Sequence, residues 1–355
     1  MTKIKISFPH IGNYYVPAKY LFTNILNAEI MVAPFITNKT IELGNKYSPE
    51  FVCTPFKYTL GTMIEALEDK ALILVQLGGG CRYGYYSELQ EKILKDLGYK
   101  FVLINLVRAG KVDFKKIYRS LKRIDKKLNL FKGLYYLFIT IKMIKYMDKI
   151  DDYIRKNVGF EVEKNSFVNL QKEMLNKFSN VKNPVELYLL YRKYFRRFKS
   201  LAIDKPKNCL KVGIIGELYT LMEPFSNYYL EKELASYNIE IKRFTNVDYL
   251  LFNSRRIRKL ALRKTKDYAR YKMSADASSN IYWTKYLCLK KYDGIIHIKS
   301  SFCTPEIGIM PIIDKIANDY NVPLIHFSFD ANTSEVGFKT RIEAFHDMIE
   351  MRRKK

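Results

Sequence analysis

LILVQLGGGCRYGYYSELQ, residues 72–90, is the stretch on which our fold assignment depends. Leu72–Leu77 is an apolar segment of the kind that forms a buried strand, and a helical pattern begins near Tyr85. Between them lie three glycines and Cys81, and glycine lets the main chain turn tightly and approach another group closely. Cys81 is therefore predicted on the turn after the carboxyl end of a strand, where open α/β sheets bind their ligands.

Cys53 and Cys303 are predicted on turns of a related kind. Each begins a Cys-Thr-Pro sequence that is followed by a helical pattern. Pro suits the first turn of a helix and Thr suits its cap, so each cysteine is expected just outside a helix N-terminus. The positive end of a helix favours the thiolate, which is the form of cysteine that binds metals. We therefore predict a fold that brings the three cysteine turns together.

Both ends of the chain alternate strand patterns with helix patterns. The predicted strands are residues 4–8, 30–32, 72–77 and 101–106, then 211–215, 240–244, 294–298 and 323–327. Alternation of this kind is typical of parallel sheets covered by helices. The predicted fold class is therefore α/β, with two doubly wound parallel-sheet lobes.

The middle of the chain, residues 111–205, lacks strand patterns, and its apolar residues recur at helical spacing. It carries 24 Lys and Arg against 10 Asp and Glu, a large share of the net charge of +25. We predict a basic helical domain here, inserted between an N-terminal α/β lobe, 1–110, and a C-terminal α/β lobe, 206–355. Clustered positive charge suits docking of an acidic partner or a phosphorylated ligand, and an ordinary lysine-rich surface is the alternative.

The sequence predicts a soluble, cytoplasmic protein without a membrane span. Its longest apolar run, residues 133–141, has nine residues, whereas a membrane helix needs about 20. The N-terminal residues have the pattern of a strand and a turn rather than that of a secretory signal. In the cytoplasm the five cysteines are expected to be reduced, which argues against disulfides and favours metal binding or catalysis.

Three interpretations of the cysteines Cys53, Cys81 and Cys303 are open. Cys-x-x-Cys pairs, common in structural zinc sites and small ferredoxins, are absent from the sequence, and widely separated thiolates suit a cluster with one iron left for another ligand. The second interpretation is three buried, inert cysteines, since free cysteine is often buried. The third is a zinc site completed by a histidine such as His10.

Weaker patterns supply further candidates. The candidate catalytic residues are His10, Arg82 and Glu306. Each also has a purely structural alternative: His10 as a hydrogen-bonded turn residue, Arg82 in a salt bridge and Glu306 as a helix-capping residue. The residues expected to shape the cofactor site are Gly78, Gly79 and Gly80.

Other residues are expected to have structural roles. We predict that Cys209 and Cys288 are not ligands, and that His297 and His326 are hydrogen-bonded histidines in buried strands. Neither a P-loop nor a Gly-x-Gly-x-x-Gly sequence is present, so nucleotide hydrolysis by this chain is not predicted.

Five blocks of the sequence carry a resemblance to a known family. They are SFPHIGNYYVP at 7–17, YSPEFVCTPFKYTLG at 47–61, GGGCRYGYYSELQ at 78–90, SSFCTPE at 300–306 and SFDANTSEVGFKTRIEAFHDM at 328–348. Together they resemble the 2-hydroxyacyl-CoA dehydratase components, in particular the CoA-protein activase and activase-related branch. The resemblance implies a [4Fe–4S] iron–sulfur cluster held by Cys53, Cys81 and Cys303.

The resemblance also implies an activity and its partners. In this family an ATP-hydrolysing iron–sulfur activator delivers a low-potential electron, which enables radical removal of a hydroxyl group from an acyl-CoA. Some relatives carry a double-cubane cluster and reduce small molecules. The family thus implies anaerobic chemistry, a dehydratase (lyase) or reductase component, and a homo- or heterodimer. Relatives often have an extra cysteine where this chain has Gly78 and Gly79, and no separate CoA-recognition motif is visible.

We therefore predict an iron–sulfur protein for low-potential electron transfer or for reductive, radical catalysis. The alternative is a non-catalytic binding or scaffold protein that uses its basic helical surface for an acidic partner or for nucleic acid. Nucleic acid is the less favoured partner, because the basic residues lack a recognised nucleic-acid-binding motif.

Overall fold

The protein contains two four-stranded sheets in which every strand pairs parallel with its neighbours. The computed structural model describes residues 4–107, 113–330 and 333–354. Contacts divide the chain into two compact units, Met1–Lys142 and Met143–Lys355, each with one sheet. The α/β fold class and the two parallel-sheet lobes predicted from the sequence are confirmed.

The first sheet is formed by four short strands, of which β1 and β3 are the most buried. They are β1 Lys5–Ser7, β2 Glu29–Ile30, β3 Ile73–Gln76 and β4 Val102–Asn105, in the order β2-β1-β3-β4. Ile6 on β1 pairs with Ile30 on one side and with Ile73 on the other. Apolar side chains from these strands pack with Phe22, Leu121 and their neighbours to form the core of this unit.

Helices connect and cover these strands. They are α1 Tyr15–Ile25, α2 Asn38–Tyr47, α3 Thr54–Glu68, α4 Tyr86–Asp96, α5 Phe114–Ile124 and α6 Leu130–Asn157, whose course continues into the second unit. A short 3₁₀ helix, Arg82–Tyr85, precedes α4. In a doubly wound unit each helix returns the chain to the start of the next strand, so turns at the carboxyl edge are free for function.

The second sheet repeats the strand order of the first. Its strands are β5 Leu210–Gly216, β6 Ile239–Arg243, β7 Gly294–Ser300 and β8 Leu324–Phe329, in the order β6-β5-β7-β8. In both sheets the winding direction reverses between the first and third strands, that is, between β1 and β3 and between β5 and β7. This reversal creates the crevice in which α/β proteins bind ligands.

The remaining helices belong to the second unit. They are α7 Ser166–Phe178, α8 Pro184–Lys199, α9 Leu218–Met222, α10 Leu230–Ser236, α11 Ser254–Lys264, α12 Ala277–Leu289, α13 Thr304–Asp319 and α14 Glu335–Lys354. In the described part of the chain, no helix combines the length and the apolarity that a bilayer crossing requires.

One predicted helix is interrupted. The sequence pattern predicts a continuous helix over 224–236, but a 3₁₀ helix, Pro224–Asn227, is followed by Tyr228 and Tyr229 with φ values of 51° and 56°. An α-helix needs negative φ at every residue, so it cannot pass through these positions. The prediction is wrong here, and α10 begins only at Leu230, whose N–H donates to Asn227.

The helical residues after Met143 pack in the same unit as the second sheet. Arg155 on α6 and Arg243 at the end of β6 are both buried and lie 3.0 Å from the same oxygen of Glu231. Burial raises the pKa of Glu231, but the charges of the two guanidinium groups outweigh burial and hold the pKa below its ordinary value. The predicted boundary between residues 110 and 111 lies outside the described residues, and the three-part division stays a prediction.

We expect the change Glu231→Gln to lower the free energy of unfolding by about 3 kcal/mol, because two buried guanidinium groups lose their shared anion. Urea denaturation of the full chain measures the loss. Glu173→Gln is the control, since Glu173 binds Arg197 at an exposed position, and a much smaller loss is expected there. Equal losses in the two variants would contradict the structural role of Glu231.

Candidate functional site

The glycine turn after β3 follows a path that requires at least one of its glycines. A Cβ atom on Gly78 would lie 1.6 Å from the carbonyl oxygen of Val107, far closer than two atoms can approach. At Gly79 the nearest contact would be 3.1 Å, to the side chain of Tyr83. The turn therefore passes directly against the chain that follows β4, and Cys81 stands next in sequence, just before the 3₁₀ helix.

Cys53 lies just outside α3, as the Cys-Thr-Pro pattern predicts, but it is itself the N-cap, and Thr54, the expected cap, is the first residue of the helix. Its sulfur is buried and contacts the hydroxyl of Tyr86. The ring of Tyr86 lies 4.9 Å from the rings of both Phe56 and Tyr83. Because Tyr86 begins α4, directly after the Cys81 turn, the Cys53 turn and the Cys81 turn lie at the same edge of the first sheet.

A buried amide network fixes these helices to the end of β3. Gln76 donates to Gln90 at 2.7 Å, and Gln90 donates to the Thr59 hydroxyl at 2.7 Å and to the Phe56 carbonyl at 3.3 Å. All three side chains are buried, so each hydrogen bond also removes the cost of burying a polar group. The starts of α3 and α4 are thus held in a defined position relative to β3.

His10 and Arg82 also lie beside this edge. His10 follows β1, is buried, and has its ring 4.9 Å from that of Phe35 and stacked at 5.8 Å on that of Tyr15. Arg82 begins the 3₁₀ helix and is exposed. His10 thus lies beside aromatic rings, whereas Arg82 is accessible to a ligand that arrives from solvent.

Cys303 lies at the carboxyl edge of the second sheet, as the N-cap of α13. Its N–H donates to the carbonyl of Ser300 at the end of β7, at 3.0 Å. At the end of β5, Gly216 has a φ of +142°, and a Cβ there would lie 1.8 Å from the Ile298 carbonyl oxygen. Glycine is therefore needed at this position too, and Cys303 follows a strand that borders the crevice of its sheet.

Charged side chains are buried around the Cys303 turn. Burial lowers the pKa of Lys299, although the nearby charges of Cys303 and Glu306 act in the opposite direction. Burial raises the pKa of Glu306 to about 7, opposed by a hydrogen bond from Asn280 and by the charge of Lys299. The Asn280 amide lies 3.0 Å from both carboxyl oxygens of Glu306. The Glu306 carboxyl group at this edge is therefore suited to gain and lose a proton near neutral pH.

A family model for the 2-hydroxyglutaryl-CoA dehydratase D-component matches residues 24–349. The chain belongs to this family. The match includes all three cysteine turns and confirms the resemblance that the sequence blocks carry. Comparison with curated protein sequences gives no match.

The dehydratase-family chain carries its cysteines on both units, with Cys53 and Cys81 on the first and Cys303 on the second. Over residues 4–107, 113–330 and 333–354, no group of three or more His, Cys, Asp or Glu side chains is gathered to hold a metal ion. Burial raises the pKa of Cys209, and it raises that of Cys288 to about 11. Burial therefore disfavours, at both cysteines, the thiolate form that a metal requires.

Sequence reasoning missed two residues at the Cys303 edge, Lys299 and Asn280. A lysine directly after the isoleucines of a strand is a pattern that could have identified Lys299, because lysine is rarely buried without a partner. His297 and His326 are hydrogen-bonded, as predicted, but their partners are each other and two carboxyl groups on α13. Glu306 binds Asn280 and His297 rather than serving only as a capping residue.

We expect Gly78→Ala to lower the free energy of unfolding by about 1–3 kcal/mol, because the added methyl group forces the Val107 backbone to move. Chemical denaturation of the full chain measures this change. Gly133→Ala is the matched control, since no described atom lies within 4 Å of a Cβ at that position in α6. The control should be neutral or stabilising by up to about 1 kcal/mol, and equal stability of both variants would disprove the close approach.

The pKa of Glu306 predicts a pH dependence of stability. Its pKa in the folded protein, about 7, exceeds the ordinary value of 4.5. The unfolded chain therefore ionises first, so the stability that this group provides is complete below pH 4.5 and is lost as the pH rises through about 7. Glu306→Gln should remove this loss in urea denaturation across that range. Glu350→Gln, an exposed change on α14, should retain the parent pH dependence.

Proposed function

We propose that the chain is an iron–sulfur component of the 2-hydroxyacyl-CoA dehydratase type. It binds a [4Fe–4S] cluster through Cys53, Cys81 and Cys303 and acts in low-potential electron transfer or reductive catalysis. The family match over residues 24–349 carries this proposal, because it spans all three cysteines. An ATP-hydrolysing activator protein is the proposed electron donor, and an acyl-CoA or another small molecule is the proposed substrate.

The settings of the cysteines support cluster binding. Cys53 and Cys303 are N-caps of α3 and α13, and Cys81 precedes the 3₁₀ helix. Unpaired amides at a helix start attract negative charge, so all three positions favour thiolates. The Tyr86 hydroxyl in contact with Cys53 can donate a hydrogen bond to that sulfur. The chemistry of the three cysteines therefore suits a cluster with three thiolate ligands.

Other residues prepare this environment for the cofactor. A bound cluster would supply one-electron chemistry at an iron that lacks a cysteine ligand. The buried ammonium group of Lys299 lies close enough to Cys303 for their charges to interact, and it offsets the negative charge of a thiolate. The hydroxyl of Tyr86 contacts Cys53, and the rings of Phe56 and Tyr83 pack against that of Tyr86.

The candidates His10, Arg82 and Glu306 have different settings within this proposal. Arg82 is exposed at the first edge and can bind a substrate phosphate by charge-assisted hydrogen bonds. Glu306 is buried and has a pKa near neutrality, which suits acid–base work. His10 is buried beside the rings of Tyr15 and Phe35, a setting that suits orientation of a ligand.

Anaerobic purification and reconstitution with iron and sulfide should give a brown protein with about four irons and four sulfides per chain. Electron paramagnetic resonance after reduction should detect the cluster. Substitution of Cys53, Cys81 or Cys303 by Ser should each lower the iron content, because each change removes a thiolate ligand. Cys288→Ser is the matched control and should retain the full content.

Three other results would each contradict the proposed function. A colourless, iron-free product after reconstitution would overturn the proposal. Zinc without sulfide would support the zinc site with His10 as the fourth ligand. A metal-free protein whose affinity for nucleic acid falls steeply with salt would support the scaffold alternative.

A further inference from the structure

Four side chains of the second unit form a continuous line of hydrogen bonds. Glu306 Oε2 lies 2.9 Å from His297 Nε2, and His297 Nδ1 lies 2.8 Å from His326 Nδ1. His326 Nε2 lies 2.7 Å from Asp314 Oδ1. One end is buried, with 3% of the Glu306 side chain exposed, and the other end reaches solvent, with 46% of the Asp314 side chain exposed.

The fold itself sets up this line. His297 on β7 and His326 on β8 are register partners in neighbouring parallel strands, so their side chains leave the sheet on the same face. Both carboxyl groups belong to α13, with Glu306 in the first turn and Asp314 about two turns later. The sheet supplies the two imidazoles, and one helix supplies the acid at each end.

We propose that Glu306, His297, His326 and Asp314 form a proton-transfer path between the Cys303 turn and solvent. The buried end lies at that turn, because Glu306 is in the first turn of α13 and Cys303 is the N-cap of the same helix. The path exists in the chain alone and does not depend on the iron–sulfur proposal.

The three hydrogen bonds hold three protons in two arrangements. In the first, protons are on the Glu306 carboxyl, on His297 Nδ1 and on His326 Nε2, and Asp314 is ionised. In the second, protons are on His297 Nε2 and on both nitrogens of His326, and both carboxyl groups are ionised. The first becomes the second when the Glu306 O–H and His297 Nδ1–H bonds break while His297 Nε2–H and His326 Nδ1–H bonds form.

No electron changes place in this step, and one positive charge moves from Glu306 to His326. His326 then passes its Nε2 proton to Asp314, which releases it to water. The reverse sequence restores the proton on Glu306. His297 is neutral in both arrangements, because it gains a proton on one nitrogen as it loses one from the other.

Burial keeps Glu306 from being permanently ionised. It raises the pKa of Glu306 to about 7, against the hydrogen bond from Asn280 and the charge of Lys299 on β7. Burial, and then the charge of Glu306, raise the pKa values of Asp276 before α12 and Glu217 after β5. A carboxyl group with the pKa of Glu306 gives up and regains a proton at similar cost.

The environment of the histidines fits their part in the path. Burial and then the charge of Lys299 lower the pKa of His297 to about 3, so it stays neutral near pH 7. Burial also lowers the pKa of His326, against the hydrogen bond that His326 donates to Asp314. The first arrangement, with Glu306 protonated and both rings neutral, is therefore the resting one.

Nuclear magnetic resonance of the full chain labelled with ¹⁵N-histidine tests the geometry. The chain has four histidines, and His346→Gln helps to assign their signals. We expect scalar coupling between the Nδ1 atoms of His297 and His326 across their hydrogen bond, and a neutral His297 from about pH 5 to about pH 8. The path is disproved if this coupling is absent or if His297 becomes cationic in that range.

A photoacid pH jump followed by infrared spectroscopy tests proton movement. The band of the protonated Glu306 carboxyl is identified by its loss in Glu306→Gln. Reprotonation of Glu306 should slow by about tenfold or more in His326→Gln and in Asp314→Asn, and imidazole in solution should restore part of the rate in His326→Gln. A merely structural role for these groups would leave the rate unchanged.

Matched controls make the outcome decisive. His346→Gln and Asp319→Asn, the latter on the exposed end of α13 beside Lys315, should keep the parent rate. If His326→Gln does not fold, Asp314→Asn decides alone, because that side chain is half exposed. A parent rate in Asp314→Asn, or an equal slowing in Asp319→Asn, overturns the proposal.

Discussion

Close approach of two backbone segments at the carboxyl edge of each sheet is the constraint on which the candidate site depends. At the first edge a Cβ on Gly78 would collide with the Val107 carbonyl, and at the second a Cβ on Gly216 would collide with that of Ile298. The segment beyond Gly78 leads to Cys81, the N-cap of the 3₁₀ helix, and the segment beyond Gly216 leads to Glu217, the N-cap of α9. Glycine thus brings a helix start close to the end of a neighbouring strand.

The second edge keeps polar groups on one face of β7 at a cost in stability. Side chains alternate along a strand, and Ile296 and Ile298 join the apolar core on one face. His297 and Lys299 therefore lie on the opposite face, where apolar side chains would bury more favourably than charged ones. The cost is reduced by hydrogen bonds to Glu306 and by the attraction of opposite charges, and this arrangement is expected at a site rather than in a core.

Features that depend on local sequence patterns could be predicted from the sequence alone. The helix Thr304–Asp319 begins directly after Cys303, where Cys-Thr-Pro predicts a helix start, and all eight strands were located to within a few residues. The positions of Cys53 and Cys303 just outside a helix followed from Cys-Thr-Pro alone, because Pro prefers the first turn of a helix. The cap was assigned to the wrong residue, since the cysteine rather than Thr is the N-cap in both helices.

Features that depend on distant parts of the chain were not predictable in the same way. The pairing of His297 with His326 follows from the register of β7 and β8, which the pattern of each strand taken separately does not fix. The need for Gly78 depends on where Val107 passes. The interruption at Tyr228 and Tyr229 depends on backbone angles that their side chains do not favour.

The two edges share a topology but differ in chemistry, and this difference suggests separate tasks. The described contact of Cys53 is with the hydroxyl of Tyr86, whose ring packs on that of Phe56, and Arg82 is exposed at the same edge. Around Cys303 the described groups include a buried lysine and a carboxyl group with a pKa near 7. The charge near Cys303 therefore changes with each proton that Glu306 gains or loses. The second edge is thus the one that carries a buried group suited to proton exchange near pH 7.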